Sequence, residues 1–580
     1  MFKKIKPYMG ENMRYTYMAL VVMLIGLIAS IVPFFIVYRL IEPLLAGERP
    51  DAQYVIVHIA VIAGCEILYA FLYVLGLKFS HKCAYKTLKN IRISLQKKLE
   101  RQPLGTIHDL GSGKIKKLFT DDIEQIELLL AHAIPEGISN LATVLLALIF
   151  MFIADWRLGL LSLLSLPLGV FAMSMMFKRG MERMNDYYNS AAKMNATIIE
   201  YINGMEVVKV FGREGESYKR FSKDITDYRD FTLAWYKVCW PWMALYSALI
   251  PCVALFMLPI GSLMVIKGTV TLANLILVFC LSLAVGGPLL KALSFLGKFP
   301  QLNYKIDEIE KAMSSAPLKA GSTPFKGTSH TVKFENVRFS YKEAEVIHGL
   351  SLELKEGTLT ALVGESGSGK STLAKLLVHY YDLNGGKITI GGQDITEMSI
   401  EALNDNISYV SQEQFLFNTS LYENILMGKP NATREEVLAA ADKAQCTEFL
   451  KRFPKGIDTP AGDSGKMLSG GERQRISLAR AILKNAPIIV LDEGTAFIDP
   501  ENEEKMNAAI NEIIKGKTVI VIAHRLQTIV NADKICVMKD GVIIAEDTHE
   551  NLLRSDKVYK NLWENSEASS GWTLGNEVEA

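Results

Sequence analysis

Six apolar runs lie within the first 300 residues, at about 17–40, 54–77, 138–154, 158–178, 242–266 and 271–295. Each approaches the roughly 20 residues that a helix needs to cross a bilayer. Inside a hydrocarbon layer every backbone N–H and C=O must be satisfied within the chain, so an isolated apolar run there folds as a helix. The third and fourth runs are separated only by Asp155-Trp156-Arg157. Joined, they would be too long for one crossing, so the chain is predicted to turn there.

Loop charge sets an expected orientation. Lys3, Lys4 and Lys6 precede the first run, and Lys78, Lys82, Lys86, Lys89, Arg92, Lys97, Lys98 and Arg101 follow the second. Lys178, Arg179, Arg183, Lys209, Arg213, Lys219 and Arg220 follow the fourth. The alternate loops, Glu42 to Asp51, Asp155 to Arg157 and Lys267 to Thr271, are short and poor in such residues. Both termini are therefore expected in the cytosol, with the protein in the cytoplasmic (inner) membrane. The two basic segments are too long for simple turns. Each reads as amphipathic helix broken by a polar bend, Leu110-Gly111-Ser112-Gly113-Lys114 in one and Phe211-Gly212-Arg213-Glu214-Gly215 in the other. Membrane helices that continue into the cytosol and turn there would present these bends to a soluble domain.

Prolines 33, 167, 251, 259 and 288 lie in or beside the runs, either as kinks that allow helix movement or as residues that membrane helices ordinarily tolerate. Lys291, near the inner end of the sixth run, is expected to snorkel to the interface. Trp235, Trp240 and Trp242 read as an aromatic belt. The seven cysteines are scattered without a C-x-x-C pair, which favours reduced, packed thiols. The first apolar run is too long for a cleavable signal peptide. A net charge of +1 leaves no basic excess for nucleic acid.

From about residue 330 the pattern changes to strands alternating with helices and Gly-rich turns. Gly364-Glu365-Ser366-Gly367-Ser368-Gly369-Lys370-Ser371 has the spacing of a phosphate-binding loop, with Thr372 next in the helix. The apolar stretch Leu359 to Val363 reads as the strand that feeds it, and Ser371 to Leu377 as the helix that leaves it. That arrangement aims backbone N–H groups and a positive helix end at one point. Lys370 can reach the outer phosphates, and Ser371 can ligate Mg2+. About 120 residues on, Ile488 to Leu491 ends in Asp492 and Glu493. Asp492 is placed to hold Mg2+, and Glu493 to polarise the attacking water. Between them, Leu468-Ser469-Gly470-Gly471-Glu472 precedes a helical run, with Ser469 as N-cap and glycines that admit a ligand closely.

In this order the motifs resemble those of an ABC transporter half of the exporter architecture, a six-helix membrane domain fused to one nucleotide-binding domain. Residues 364–371 match its Walker A motif, Gln412 the Q-loop, 468–472 the signature, 488–493 Walker B, 496–499 the D-loop and His524 the switch. Tyr341 matches the aromatic that stacks on adenine. The resemblance implies an all-α membrane domain over 1–300, a linker over 301–330, an α/β P-loop ATPase domain over 331–565 and a tail over 566–580. It implies ATP and Mg2+ as ligands, with Ser371, Gln412 and Asp492 around the metal and Glu493 and His524 as the catalytic pair. Gln412 to Phe417 would face the inner bends of the membrane domain. A second half-transporter is implied, because the signature of one subunit completes the ATP site of the other. Glu472 stands where Gln is usual, Asp463 where Glu is, Gly494 where Ala or Pro is, and the D-loop reads Ala496-Phe497-Ile498-Asp499. The D-loop points to a non-identical partner chain, and with the following Pro-Glu-Asn-Glu it is similar to the siderophore-linked subgroup of the fold.

The expected activity is ATP hydrolysis coupled to solute movement across the bilayer. Export of an amphipathic, drug-like, lipid or peptide compound leads, and iron–siderophore uptake is the alternative. An ATP-gated channel is disfavoured by the presence of both Glu493 and His524.

Overall fold

The computed structural model describes residues 1–212, 214–314, 316–412, 414–492, 500–523 and 525–570. They form two compact units, one of residues 1–98 with 113–314, the other of 99–112 with 315–580.

The first unit is helical. Five of its helices are long and apolar enough to cross a membrane, and a sixth span results if the bent pair Lys219–Leu249 and Ala254–Ile266 is one crossing. The 43° bend falls at Pro251, where a missing N–H and a ring clash interrupt the helical ladder. Asp155 ends one span and starts the next. Its carboxylate accepts from the backbone N–H groups of Arg157 (2.9 Å) and Leu158 (3.4 Å), capping the new helix. The buried core joins Leu27, Val144, Met151, Leu158, Met257, Leu281 and Val285 from five spans. Many other large apolar side chains point outward, as they must where the solvent is lipid.

Both inner bends fall at glycines in the left-handed region, Gly111 (φ 72°) and Gly212 (φ 62°). The helix Met205–Val210 before the second bend leaves Val207, Val210 and Phe211 exposed.

The second unit is built on two sheets. Strands β1 (Val332–Tyr341), β2 (Ala344–Leu354), β4 (Gly385–Ile390) and β5 (Gln393–Asp394) form an antiparallel sheet in the order β2-β1-β4-β5. Strands β3 (Leu359–Val363), β6 (Ile407–Val410), β7 (Ile488–Asp492), β8 (Thr518–Ile522), β9 (Lys534–Lys539) and β10 (Val542–Asp547) form the other, in the order β10-β9-β3-β8-β7-β6. Its strands are parallel except for the β9–β10 hairpin. Buried on both faces, these strands read as unbroken apolar runs.

Period-two alternation divides β7 between two cores. Ile488 and Val490 pack with the antiparallel sheet and the helix Lys370–Leu377. Ile489 and Leu491 pack with the helices Leu421–Leu426, Arg434–Lys443 and Gly470–Lys484. The parallel order places the C-terminal ends of β3, β7 and β8 side by side, where ligands bind in open α/β sheets. The short helix Leu104–Leu110 belongs to this unit. The Leu104 N–H donates to the Tyr380 carbonyl (2.9 Å), and Asp109 pairs with Lys342 (2.9 Å).

Candidate active site

The loop after β3 turns through three glycines with positive φ: Gly364 (150°), Gly367 (85°) and Gly369 (100°). At Gly364 a Cβ would lie 2.1 Å from the Met538 carbonyl oxygen, so close backbone approach to β9 requires glycine there. Lys370 opens the following helix and is buried. Its ammonium donates to the carbonyls of Gly364 and Glu365, both at 2.8 Å, and to Ser368 Oγ at 3.3 Å. The lysine thus ties the start of the loop to the helix that leaves it.

Ser371 Oγ donates to Asp492 Oδ1 at 3.0 Å, and Tyr409 OH donates to Asp492 Oδ2 at 3.0 Å. Asp492 is 3% exposed. A carboxylate buried to that degree persists only with hydrogen bonds on its oxygens. Burial, then the charge of Asp492, pushes the Tyr409 phenol well above its ordinary 10.0, so it remains a donor at neutral pH. The end of β7, the first turn of the loop helix and β6 therefore meet at one anionic point. Ser371 and Asp492 were read from spacing; Tyr409 was not, because a tyrosine inside a buried strand carries no signal without its neighbour.

Tyr341 ends β1, half-buried, with its ring edge-on to Phe339 (4.8 Å) and Tyr381 (5.3 Å). Its hydroxyl lies 3.4 Å from Thr372 Oγ1, which links it to the loop helix. Burial, followed by the nearby Tyr341, pushes the Tyr381 phenol up to about 12. One face of an aromatic cluster is thereby fixed beside the phosphate loop. The structure joins Tyr341, residues 364–372 and Asp492 into one constellation.

Ser469, Gly470 and Gly471 start the helix Gly470–Lys484, which packs in the other core. Ser469 Oγ accepts from the Glu472 N–H (3.3 Å), and the Glu472 carboxylate accepts from the Ser469 N–H (2.9 Å). This is a reciprocal capping box, legible in the spacing S-x-x-E. Glu472 also pairs with Arg452. Glutamate in place of the usual glutamine therefore serves the helix start. A Cβ built at Gly470 or Gly471 meets nothing within 4 Å, so neither glycine is required by packing inside this chain.

Gln412 follows β6 and is exposed. Phe415 and Phe417 beyond it are also exposed, edge-to-face at 5.2 Å. Glu493, Gly494, the 496–499 stretch and His524 lie outside the described residues.

In the helical unit, Lys291 is half-exposed and paired. Its ammonium lies 2.5 Å from Glu136, which is 3% exposed, and 3.1 Å from Tyr73 OH. Glu136 also contacts His132 Nδ1 at 2.5 Å, and His81 pairs with Glu127 at 3.0 Å. A carboxylate inside a span needs a counter-charge, and Lys291 supplies one. Lys291→Met is expected to destabilise the protein by about 1–3 kcal/mol by removing one of the two partners of Glu136, and adding Glu136→Leu should recover most of the loss. Unfolding of the solubilised protein measures both, and an unchanged midpoint for Lys291→Met alone would remove this role.

Residues 347–496 match the family described as ABC transporter, and residues 15–289 that described as ABC transporter transmembrane region. The chain is 35% identical over 555 residues to the mycobactin import ATP-binding/permease protein IrtA of Mycobacterium tuberculosis, covering 93% of this chain and 63% of that one. It spans about three fifths of the length of the three mycobactin importers it matches. It is 32% identical over 490 residues to the ATP-dependent lipid A-core flippase of Legionella pneumophila (strain Paris), covering 83% and 82%. A solved bacterial Atm1-family ABC exporter with ATP bound superposes with a TM-score of 0.80 at 25% identity, over 97% of this chain and 99% of that one. The chain belongs to the ABC transporters, and carries their membrane-spanning region fused to their ATP-hydrolysing domain.

Proposed function

We propose that this chain is one half of a dimeric, ATP-driven transporter in which two nucleotides are held between facing ATPase domains. The observation that carries the reading is the divided site. One end of the fold builds a phosphate loop with a buried carboxylate, while at the capped helix start, Ser469 to Gly471, the two glycines have open space beside them among the described residues. A helix N-terminus of that kind suits a phosphate, here one held by the partner. The exposed Val207, Val210 and Phe211 of one bend and the exposed Phe415 and Phe417 of the ATPase domain are further surfaces that a partner chain would cover. A single species at the mass of one chain, active with ATP and Mg2+, would reject the dimer. A species of two different chains would support the non-identical partner that the D-loop suggests.

The residues present fit a divalent cation. Ser371 Oγ and Asp492 Oδ1, hard oxygen ligands, lie together beside the loop. Ser371, Asp492 and Gln412 are proposed to hold Mg2+, which when bound neutralises charge on the phosphates. Tyr341 offers a ring face to the adenine. Glu493 would polarise water, and His524 would contact the γ-phosphate.

Lys370 is placed to exchange its carbonyl contacts for phosphate oxygens. Lys370→Ala should weaken ATP binding about 10- to 100-fold, the cost of losing a hydrogen bond to a charged group. Calorimetric titration of the purified complex reads this directly, and equal affinity would exclude the contact.

The cargo is proposed to be amphipathic, moved across the cytoplasmic membrane with the ATPase domain in the cytosol. Uptake of a mycobactin-like iron–siderophore is the reading with more sequence behind it, since the importers match over 93% of the chain. Outward movement of a lipid is favoured instead by the likeness to the flippases. The fold serves either direction. ATP-dependent accumulation measured in vesicles of both orientations decides between them: loss of cargo from right-side-out vesicles would sink the uptake reading.

A further inference from the structure

Three cations converge on one phenol at the cytosolic edge of the helical unit. Lys82 Nζ lies 4.7 Å from the centre of the Tyr15 ring, Lys86 Nζ 5.1 Å and Arg14 Cζ 5.1 Å. Arg14 Nη2 also reaches the Tyr15 hydroxyl at 3.5 Å. Tyr15 and Arg14 lie on the helix Met13–Leu45, and both lysines on the helix Ala52–Leu99.

This cluster is not neutralised from within. Lys82 and Lys86 are four residues apart on one helix face, where like charges repel, and Lys78 continues the same stripe. Among the described residues no carboxylate pairs with Arg14, Lys78, Lys82 or Lys86. Two basic residues further from the apolar runs are paired, Arg92 with Glu124 at 2.6 Å and Lys114 with Glu308 at 2.9 Å.

Its depth is also specific. Tyr15 lies two residues before the first apolar run, and Lys82 five residues after the second. Beside it, the helix Phe2–Met9 buries Ile5 and Met9 and exposes Phe2. An amphipathic helix, an aromatic ring and unpaired cations at one level mark the headgroup zone of a bilayer.

We propose that Arg14, Tyr15, Lys82 and Lys86 bind the phosphate of an anionic phospholipid in the adjoining leaflet. Two ammonium groups and a guanidinium would surround the phosphodiester, and the phenol would donate to one of its oxygens. The lipid would hold the first two spans together at their inner ends.

The test uses the full complex in nanodiscs of phosphatidylcholine mixed with phosphatidylglycerol. Both leaflets are then alike, so the outcome does not depend on which face is cytosolic. Native mass spectrometry reads the ratio of phosphatidylglycerol to phosphatidylcholine retained by the protein. Lys82→Gln with Lys86→Gln should lower that ratio about 10- to 30-fold. Lys97→Gln with Lys98→Gln, the same charge change three turns deeper, should leave it unaltered. Arg14→Gln, on the other helix, should lower it about 3- to 10-fold, and reads the site independently should the double variant not assemble. Equal ratios in the wild type and both site variants would overturn the proposal. Release of phosphatidylglycerol by added inorganic phosphate would overturn it in favour of a soluble-anion site.

Discussion

Glu493→Gln is expected to lower ATP turnover by the assembled transporter about 10²- to 10⁴-fold while leaving ATP bound. Both oxygens of Asp492 are engaged, one by Ser371 and the other by Tyr409, and the group is buried. A carboxylate so committed is suited to a fixed metal-holding role rather than to taking a proton from water. The next residue in the chain is the second carboxylate, Glu493. Glutamine keeps its size and hydrogen-bonding reach but cannot accept a proton, so chemistry should fail and binding should survive. Phosphate release by the reconstituted complex, with retained nucleotide counted after rapid gel filtration, checks both halves. Turnover within twofold of the wild type would remove Glu493 from the role of base.

Much of this was legible from local pattern, because the physics is local. The phosphate loop needs glycines at fixed offsets between a strand and a helix, and the strand and helix appear at Leu359–Val363 and Lys370–Leu377. The split at Asp155 was legible because a carboxylate there both breaks an apolar run and caps the next helix. The fifth span was harder. Its apolar run is continuous through Pro251, which reads equally as a kink or a tolerated proline, and the structure shows a 43° break there. The contacts that escaped the sequence join residues far apart. Glu136 and Lys291 lie in different spans, and an isolated lysine near a helix end snorkels by default unless its partner is known. Tyr409 and Asp492 meet because β6 and β7 are neighbours in the sheet, a pairing that the strands' own composition does not dictate. Glu472 is the instructive middle case. It reads as a departure from a family pattern, yet its three-residue offset from Ser469 already described the capping box the structure contains.

Gly471→Glu separates stability from activity in a way that tests the shared site. At this position a Cβ meets nothing within 4 Å, so the fold has room for a side chain. Replacing glycine in the first turn of a helix lowers the backbone entropy lost on folding, and a carboxylate there complements the helix dipole. The isolated chain should therefore be as stable as the wild type or slightly more so. Nucleotide affinity should also persist, since the phosphate loop lies on the other side of the fold's division into two cores. In a dimer whose signature helix faces the partner's nucleotide, the same carboxylate would oppose the triphosphate. Like charges so placed cost several kcal/mol, which corresponds to a loss of about 100-fold or more in turnover. A complex carrying the change in one chain only should lose hydrolysis at the site whose phosphate loop belongs to the other chain, which mixed dimers bearing one Lys370→Ala subunit would identify. If Gly471→Glu instead hydrolyses ATP at the wild-type rate, the helix start at Ser469 does not face nucleotide at all, and the case for a site shared between two chains falls with it.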